Sequence, residues 1–323
     1  MHNLRRKSWQ IILSIALIGV PGFAHPGSGI LVDRLGQIYF IDTGSGLWKI
    51  DTRGAVSRLS TLRNHWLAMD PNDRFVQSRL PTDTGGVITA AGSNPTILIS
   101  TDFPLVIGQD GNLYYPSVRE SSVRILRRTA EGRTSTLATL PRSVTGAALG
   151  WINGIAAGPD GSIYYTEGTA VRRITAQGAV STIGTVTALA DRTPITGSES
   201  RPYLRGLKVD GNGVVYVADA ADSRVLKITP QGRVTTVLQL ESPWAPTDVA
   251  VFGDIIYVLE YSHTGGDDRV AWMPRVRKIA ADGRSTIIMT VDRMPGARTV
   301  GSQVSYNFFN LLLRTFLFAP RPV

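Results

Sequence analysis

Residues 158–182 read GPDGSIYYTEGTAVRRITAQGAVST, and residues 209–236 read VDGNGVVYVADAADSRVLKITPQGRVTT. Both phrases contain an Asp/Gly turn, a strand with an aliphatic residue before Tyr, a loop, and an alternating strand that carries Arg or Lys. A Gly turn and a Thr/Ser/Val-rich strand follow. Alternating β-branched and aromatic residues between DG or NG turns are typical of antiparallel hairpins. The phrase therefore predicts a meander of short strands that the chain repeats.

The same pattern recurs along most of the chain, with further copies beginning near Gly29, Pro104 and Thr247. Equivalent positions carry one tyrosine and one turn glycine per copy: Tyr39, Tyr114, Tyr164, Tyr216 and Tyr257, with Gly54, Gly132, Gly178, Gly232 and Gly283. Four short strands in a unit of roughly 40–50 residues are typical of a propeller blade. We therefore predict an all-β chain in which residues 25–295 form a β-propeller.

The number of blades depends on residues 65–100, because the interval between Tyr39 and Tyr114 is about twice the usual one. HWLAMDPNDRFVQS opens like another copy, with a strand, a DPND turn and a second strand, and GVITAAG and TILIST could complete it. We therefore expect six blades, of which the second is degenerate. The first and last copies each have four strands, so we expect no strand exchange where the ring closes.

The first 24 residues have the pattern of a secretory signal peptide. Arg5, Arg6 and Lys7 precede an apolar run, and Gly22 and Ala24 supply small residues before the expected cleavage site. Residues 1–24 would then be removed, and the mature chain would begin at His25 and be secreted or periplasmic. An uncleaved N-terminal anchor is the alternative.

The last 28 residues, 296–323, fit no blade and are expected to form a short amphipathic helix. One helical stripe carries the large apolar side chains Phe308, Phe309, Leu312, Leu313 and Phe316. We expect this helix to dock on the propeller, and peripheral contact with a membrane surface is the alternative.

Composition excludes some classes of function. The chain has 323 residues and no cysteine, so it has no disulfide, thiolate metal site or cysteine nucleophile. Its net charge of +9 is spread over arginines in every copy, whereas nucleic-acid binding favours a clustered basic stripe with interleaved aromatic residues. We therefore expect no nucleic-acid partner. No Ser-His-Asp, HExxH or P-loop pattern appears, so no catalytic residue is assigned.

GIAAGPDGSIYYTEG, GLKVDGNGVVYVADAADSRVLKITPQG and DVAVFGDIIYVLEY resemble NHL repeats. They also resemble the wider set of six-bladed propellers that includes gluconolactonase-like hydrolases and strictosidine synthase-like proteins, and GPDGSIYYTEG is similar to the repeat of streptogramin lyases. The resemblance implies a six-bladed propeller, but it implies little about activity because many functions share this fold.

Blade geometry predicts a ligand site at one mouth of the central channel. The loop before the first strand and the loop between the second and third strands of each blade lie on the same face of the ring. The polar residues expected there, from several blades, are His65, Asn153, Glu167, Arg205, Asp248, Glu260 and Tyr261. An acid at a second-strand end, such as Asp42 or Asp219, could instead bond the backbone of its own loop.

The gluconolactonase resemblance implies a divalent cation, such as calcium, on the channel axis, held by a Glu, an Asn and an Asp. Asn153 in INGIAAGPDG matches the Asn, but Arg205 in LRGLKVDGNG stands where the Asp would be, and PGSGILVD offers no acid for the Glu. A guanidinium on the axis would repel a cation and attract a carboxylate. The leading expectation is thus no metal, with Asp248 or Glu260 as the resting partner of Arg205.

Two functions remain open on this basis. The first is a non-catalytic binding module for a protein, peptide or glycan ligand at the channel mouth. The alternative is a hydrolase or lyase of the gluconolactonase or streptogramin-lyase type, with Asn153, Glu167 and Glu260 as ligands of a divalent cation.

Overall fold

The fold is described from a computed structural model that covers residues 29–78, 80, 86–88, 95–119, 122–140, 152–187, 204–263 and 272–295. The expected signal peptide, residues 1–24, and the expected helix, residues 296–323, lie outside this described part. Strands form six antiparallel sheets, five of them four-stranded and one three-stranded. The predicted all-β, six-bladed propeller is confirmed, and no helix within the described ranges has the length and apolar character needed to cross a membrane.

Each blade is one sheet, and its first strand lies next to the channel. The order of the strands departs from the chain order only in blade 2. Blade 1 contains β1 Ile30–Val32, β2 Ile38–Asp42, β3 Gly46–Ile50 and β4 Val56–Ser60. Blade 2 contains β5 Trp66–Asp70, β6 Gly86–Ile88 and β7 Thr96–Ser100. Blade 3 contains β8 Val106–Ile107, β9 Leu113–Arg119, β10 Ser122–Arg128 and β11 Thr134–Leu140.

The second half of the ring is more regular. Blade 4 contains β12 Ile152–Ala157, β13 Ile163–Glu167, β14 Ala170–Ile174 and β15 Val180–Thr185. Blade 5 contains β16 Leu204–Val209, β17 Val215–Asp219, β18 Arg224–Ile228 and β19 Val234–Gln239. Blade 6 contains β20 Trp244–Phe252, β21 Ile255–His263, β22 Trp272–Ile279 and β23 Ser285–Thr290, and a 3-10 turn follows at Val291–Arg293.

The hydrophobic core consists of six clusters, one at each interface between neighbouring blades. For example, Tyr39 and Ile41 of blade 1 pack with Leu67 and Ile99 of blade 2. The interface between blades 6 and 1 has its own cluster, which includes Trp48. The other four clusters have the same arrangement. Every blade thus buries both faces, so that the ring is stabilised mainly by apolar burial between sheets.

Blade 2 is degenerate, but not in the expected way. β7 pairs directly with β5, so TILIS takes the second place in the sheet and β6 the third. Residues 74–77, in the expected second strand, form turns instead. Phe75 is fully buried there, and its backbone amide donates to the Asp70 carboxylate at 2.7 Å. The buried side chain of Phe75 and a turn stabilised by Asp70 thus stand where the repeat predicts a hairpin.

The ring closes without strand exchange, because blades 1 and 6 each have four strands of their own. The closure uses side chains of blade 6 against the backbone of blade 1. The Tyr261 hydroxyl donates to the Ile41 carbonyl at 2.6 Å, and the Ile30 amide donates to the Asp248 carboxylate at 3.0 Å. Such contacts satisfy buried polar groups at the interface that closes the ring.

The marker tyrosines occupy one register in five blades, as the repeat predicts. Each lies opposite a basic residue on the third strand and opposite an inner-strand residue, and these inner residues are Leu31, Val106, Ala156, Lys208 and Ala250. The six inner strands enclose a channel that contains a cavity of ≈ 170 Å³. Four of the five equivalent inner positions are apolar, and the exception is Lys208.

Candidate ligand site at the channel mouth

Asn153 and Arg205 lie at irregularities in the inner strands of blades 4 and 5. The pairing of β12 with β13 shifts between Ile152 and Ile155, and that of β16 with β17 shifts between Leu204 and Leu207. A bulge bends a strand and turns side chains away from their regular direction, and such bulges are common beside binding sites. In both blades the irregularity therefore places the residue before the inner-strand glycine, Asn153 or Arg205, at the mouth of the channel.

A short chain of contacts connects three blades across this mouth. The Trp66 indole N–H donates to the Asn153 carbonyl at 2.9 Å, so blade 2 reaches blade 4 past the two-residue strand β8. The Asn153 amide donates to the Leu204 carbonyl of blade 5 at 3.1 Å. His65 packs edge-on against Trp66, and its Nδ1 lies 3.1 Å from the Thr101 carbonyl. The structure thus brings His65, Asn153 and the peptide of Arg205 into one rim.

Arg205 continues this rim towards blades 6 and 1. Its carbonyl accepts a hydrogen bond from the Thr166 hydroxyl at 3.0 Å. Burial raises the pKa of Tyr261 well above its usual range, the charge of Asp42 adds to this rise, and the Arg205 guanidinium opposes it. Tyr261 is fully buried and its hydroxyl donates to the Ile41 carbonyl, so it is not exposed to a ligand at the mouth.

The acids at second-strand ends pair with arginines of the same blade. Glu167 pairs with Arg172, and Asp219 pairs with Arg224 at 2.8 Å. Asp42 instead accepts from the Gly44 amide at 3.1 Å, as expected for an acid that orders its own loop. These carboxylates are therefore engaged within their blades, and the structure does not bring Glu167 next to Asn153 through any contact of its carboxylate.

Glu260 lies at the centre of a buried charged cluster in blade 6. Its carboxylate pairs with Arg275 and lies 2.6 Å from Arg277 Nε, and its side chain is fully buried. The Arg275 guanidinium stacks on Trp244, 3.6 Å from the ring centroid. A buried charge with two cationic partners is fully compensated, so this acid has a structural role in the last blade.

Asp248 faces the channel. Its carboxylate accepts from the amides of Ile30 and Val249 at 3.0 and 2.8 Å. Burial raises the pKa of Asp248 to about 7, although both hydrogen bonds and the charge of Lys208 oppose this rise. A Cβ atom on Gly206 would lie only 1.9 Å from Asp248 Oδ1, so that glycine makes room for the carboxylate.

These residues do not fit the divalent cation that gluconolactonase-like propellers imply. Among the residues that the structure describes, no group of three or more His, Asp or Glu side chains is placed to hold a metal ion. The Asn153 amide is bonded to a neighbouring carbonyl, and Glu260 is bonded to two arginines. A permanent guanidinium charge at Arg205 further disfavours a bound cation.

The sequence of the central blades has a recognisable family signature. Residues 132–258 match the family model described as the SMP-30/gluconolactonase/LRE-like region. The matched segment includes all of blades 4 and 5, and therefore both Asn153 and Arg205. The resemblance to gluconolactonase-like propellers is thus confirmed over this part of the chain. No curated protein matches the sequence significantly.

Several solved structures resemble this chain over most of its length. A luciferin-regenerating enzyme superposes with a TM-score of 0.50 at 15% identity, covering 79% of this chain and 91% of that one. Virginiamycin B lyase from Staphylococcus aureus gives 0.47 at 15%, with 81% and 83% covered. The calcium-binding regucalcin from Agrobacterium tumefaciens gives 0.48 at 15%, with 76% and 85% covered. At 15% identity, the likeness to the luciferin-regenerating enzyme shows the fold alone.

Two features of the mouth were missed by the sequence reasoning. The sequence analysis does not single out Trp66, yet its indole donates to the Asn153 carbonyl across the rim. It also assigns no partner to the third-strand arginines Arg172, Arg224 and Arg275, yet they pair with acids of the preceding strand. An acid that ends one strand and an arginine near the start of the next were the signals for these pairs.

Proposed function

We propose that this protein is a non-catalytic propeller that binds an anionic group of a protein, peptide or glycan at the channel mouth. The observation that carries the proposal is that Arg205 directly follows Leu204, whose carbonyl accepts from the Asn153 amide, and that its permanent charge acts on Tyr261. Arginine recognises carboxylates through two parallel hydrogen bonds. An acidic peptide or an acidic sugar carries such a group.

The charges around the mouth support this choice. Glu167 and Glu260 are compensated by arginines of their own blades, and Asp248 faces the channel. The acidic side chains near the rim are therefore not arranged around a common site for a cation. Trp66 is partly exposed at the same rim and offers an apolar surface beside the cation. Aromatic and arginine side chains together are typical of the energetically important part of an interface.

The test compares Arg205→Ala with the wild-type protein for binding of a poly-glutamate peptide and polygalacturonate, measured by calorimetry. Arg205→Ala should weaken binding by about 1.5–3 kcal/mol, the usual contribution of one charge-assisted contact. Arg233→Ala is a matched control, since Arg233 is an exposed arginine of the same blade on the opposite face. Equal losses in both variants, or unchanged binding in Arg205→Ala, would contradict the proposal.

A hydrolase or lyase that uses a divalent cation is the second candidate. It is favoured by the family-model match across residues 132–258, which includes Asn153. It requires that Asn153, Glu167 and Glu260 leave their present partners to meet around a metal. Stoichiometric calcium or zinc in the purified protein, with lactone hydrolysis lost in Asn153→Ala, would favour this candidate over the binding module.

We further propose that the protein is exported to the periplasm or secreted, without a nucleic-acid partner, and that its C-terminal segment can contact a membrane surface. The basic and apolar pattern of residues 1–24 supports export, and the apolar stripe of residues 296–323 supports membrane contact. N-terminal sequencing of native material should begin at His25. An intact Met1 on membrane-bound material would show an uncleaved anchor instead.

A further inference from the structure

Lys208 occupies an inner-strand position that other blades fill with apolar residues. It lies opposite Tyr216, as Leu31, Val106, Ala156 and Ala250 lie opposite the corresponding tyrosines of their blades. Leu31, Val106, Ala156 and Ala250 pack into the clusters between neighbouring blades. A lysine at this position brings an amine into an inner strand that borders the axial cavity, where the repeat requires no charge.

The surroundings of this amine are largely apolar. Lys208 borders the axial cavity together with Leu207, Val249 and Ala250. Within the described residues, its ammonium group has neither a hydrogen bond nor a direct ion pair, and Asp248 is the charged group that acts on it. Burial lowers the pKa of Lys208, and the Asp248 carboxylate opposes this effect. Burial therefore shifts the equilibrium of this amine towards its uncharged, nucleophilic form, compared with that of an exposed lysine.

Asp248 is also an exception in the repeat. Asp248 lies two residues before the residue that pairs with the tyrosine of its blade. At the same position the other inner strands have Gly29, Pro104, Gly154 and Gly206. Asp248 alone among these five places a carboxyl group at this level of the channel. Two backbone amides hold it, and burial raises its pKa to about 7, so near neutral pH it can both donate and accept a proton.

We propose that Lys208 and Asp248 form a reactive amine–carboxyl pair that captures small aldehydes in the channel as imines. The unpaired amine supplies the nucleophile, and the neighbouring carboxyl group supplies and removes protons. The cavity of ≈ 170 Å³ is large enough for a short aliphatic aldehyde, since about 10–15 Å³ by this measure already holds one water. This site is separate from the rim at Arg205 and does not depend on the function proposed for that rim.

The chemical step balances without any further reagent. The Lys208 nitrogen lone pair attacks the carbonyl carbon, and the carbonyl oxygen takes a proton from the Asp248 carboxylic acid to give a carbinolamine. Asp248 takes the proton from the positively charged nitrogen and returns it to the hydroxyl group, so that the carbon–oxygen bond breaks and water leaves. The resulting iminium gives its N–H proton to Asp248, which restores the carboxylic acid. The net change is one amine and one aldehyde to one imine and one water, with no change in oxidation state.

Reductive trapping tests the proposal on the intact protein. Propanal and cyanoborohydride are added at pH 7, and peptide mass spectrometry follows the propylation of each lysine. The chain has five lysines, and Lys227 and Lys278 are partly buried like Lys208, so they are internal controls. Lys208 should react about tenfold faster or more, because an ordinary lysine is almost entirely charged at pH 7.

A second probe checks that the reaction takes place in the channel. A bulky aromatic aldehyde such as anthracene carbaldehyde should label Lys227 and Lys278 but not Lys208. Lys208→Ala gives blade 5 the alanine that blades 4 and 6 have at this register, so the variant should fold. It should also lose the fast labelling. Labelling of Lys208 no faster than the two control lysines, or equal labelling by both aldehydes, would overturn the proposal.

The variant Asp248→Asn distinguishes a role of Asp248 in proton transfer from an effect of its charge on the pKa of Lys208. Asp248 raises the pKa of Lys208, so its removal alone would increase the amount of free amine and speed the reaction. A proton-transfer role predicts the opposite, with labelling of Lys208 about tenfold slower or more. Labelling that is faster in Asp248→Asn, in protein with unchanged circular dichroism, would refute the role of the carboxyl group.

Discussion

The carboxylate of Asp248 accepts a hydrogen bond from the backbone amide of Ile30 at 3.0 Å and so joins the last blade to the first across 218 positions. The same carboxylate lies against Gly206 of the preceding blade and interacts with Lys208. One side chain near the axis therefore contacts three consecutive blades of the ring, which makes its protonation state relevant to the stability of the whole fold.

The first prediction concerns pH and stability. The pKa of Asp248 is about 7 in the folded protein and about 3.9 in an unfolded chain, so between these values the folded state binds more protons. The contribution of Asp248 to the free energy of unfolding should therefore fall as pH rises from about 4 to about 7. The slope should reach at most about 1.4 kcal/mol per pH unit.

Asp248→Asn isolates this contribution, since other carboxyl groups titrate in both proteins. Urea denaturation across this range should show the wild-type protein losing stability relative to Asp248→Asn as pH rises, with little relative change above pH 7. The groups that face Asp248 are Lys208 and the amides of Ile30 and Val249. A relative stability that increases with pH in this window would contradict the assignment.

Gly206 should not tolerate a side chain. A Cβ atom there would lie 1.9 Å from Asp248 Oδ1, so Gly206→Ala must displace the carboxylate or the inner strand, at a cost of about 1–3 kcal/mol or more. Gly211→Ala is the control, because nothing lies within 4 Å of the added atom. The control should stay within about 0.5 kcal/mol of wild type in urea denaturation. Similar costs for both variants would exclude this packing explanation.

Removal of the charge on Glu260 should strongly destabilise the last blade. Glu260→Gln leaves Arg275 and Arg277 buried together without their carboxylate, and breaking a buried pair in this way typically costs about 3–5 kcal/mol. Asp282→Asn removes the partner of Arg284 at an exposed turn and should cost less than about 1 kcal/mol. Denaturation midpoints that move equally in both variants would argue against a buried cluster.

The hydroxyl of Tyr261 should contribute to ring closure. It donates to the Ile41 carbonyl at 2.6 Å, so Tyr261→Phe leaves a buried acceptor without its donor and should cost about 1–3 kcal/mol. Tyr257→Phe is the matched control, since Tyr257 is a buried tyrosine of the same strand whose hydroxyl has no hydrogen bond among the described residues. Amide exchange at residues 41–43 should accelerate in Tyr261→Phe only.

The positions of the second-strand tyrosines and of the turn glycines follow from the sequence. Alternation and turn chemistry are local properties, and five repetitions of one pattern leave few architectures that bury all the apolar faces. The degenerate second blade was located for the same reason. The order of the strands in this blade was not predicted from the sequence. FVQS alternates like a strand, whereas tertiary packing buries Phe75 in a turn.

The partners of charged side chains were decided by the tertiary structure. Asp248 and Glu260 were expected to accompany Arg205, but Glu260 pairs with Arg275 and Arg277, and Asp248 bonds backbone amides near Lys208. The sequence by itself determined the repeat, the blades and the end of each blade at which polar residues lie. Only the packed ring determined which of them face one another, because bulges and close glycine contacts between inner strands set side-chain direction, and burial sets the pKa.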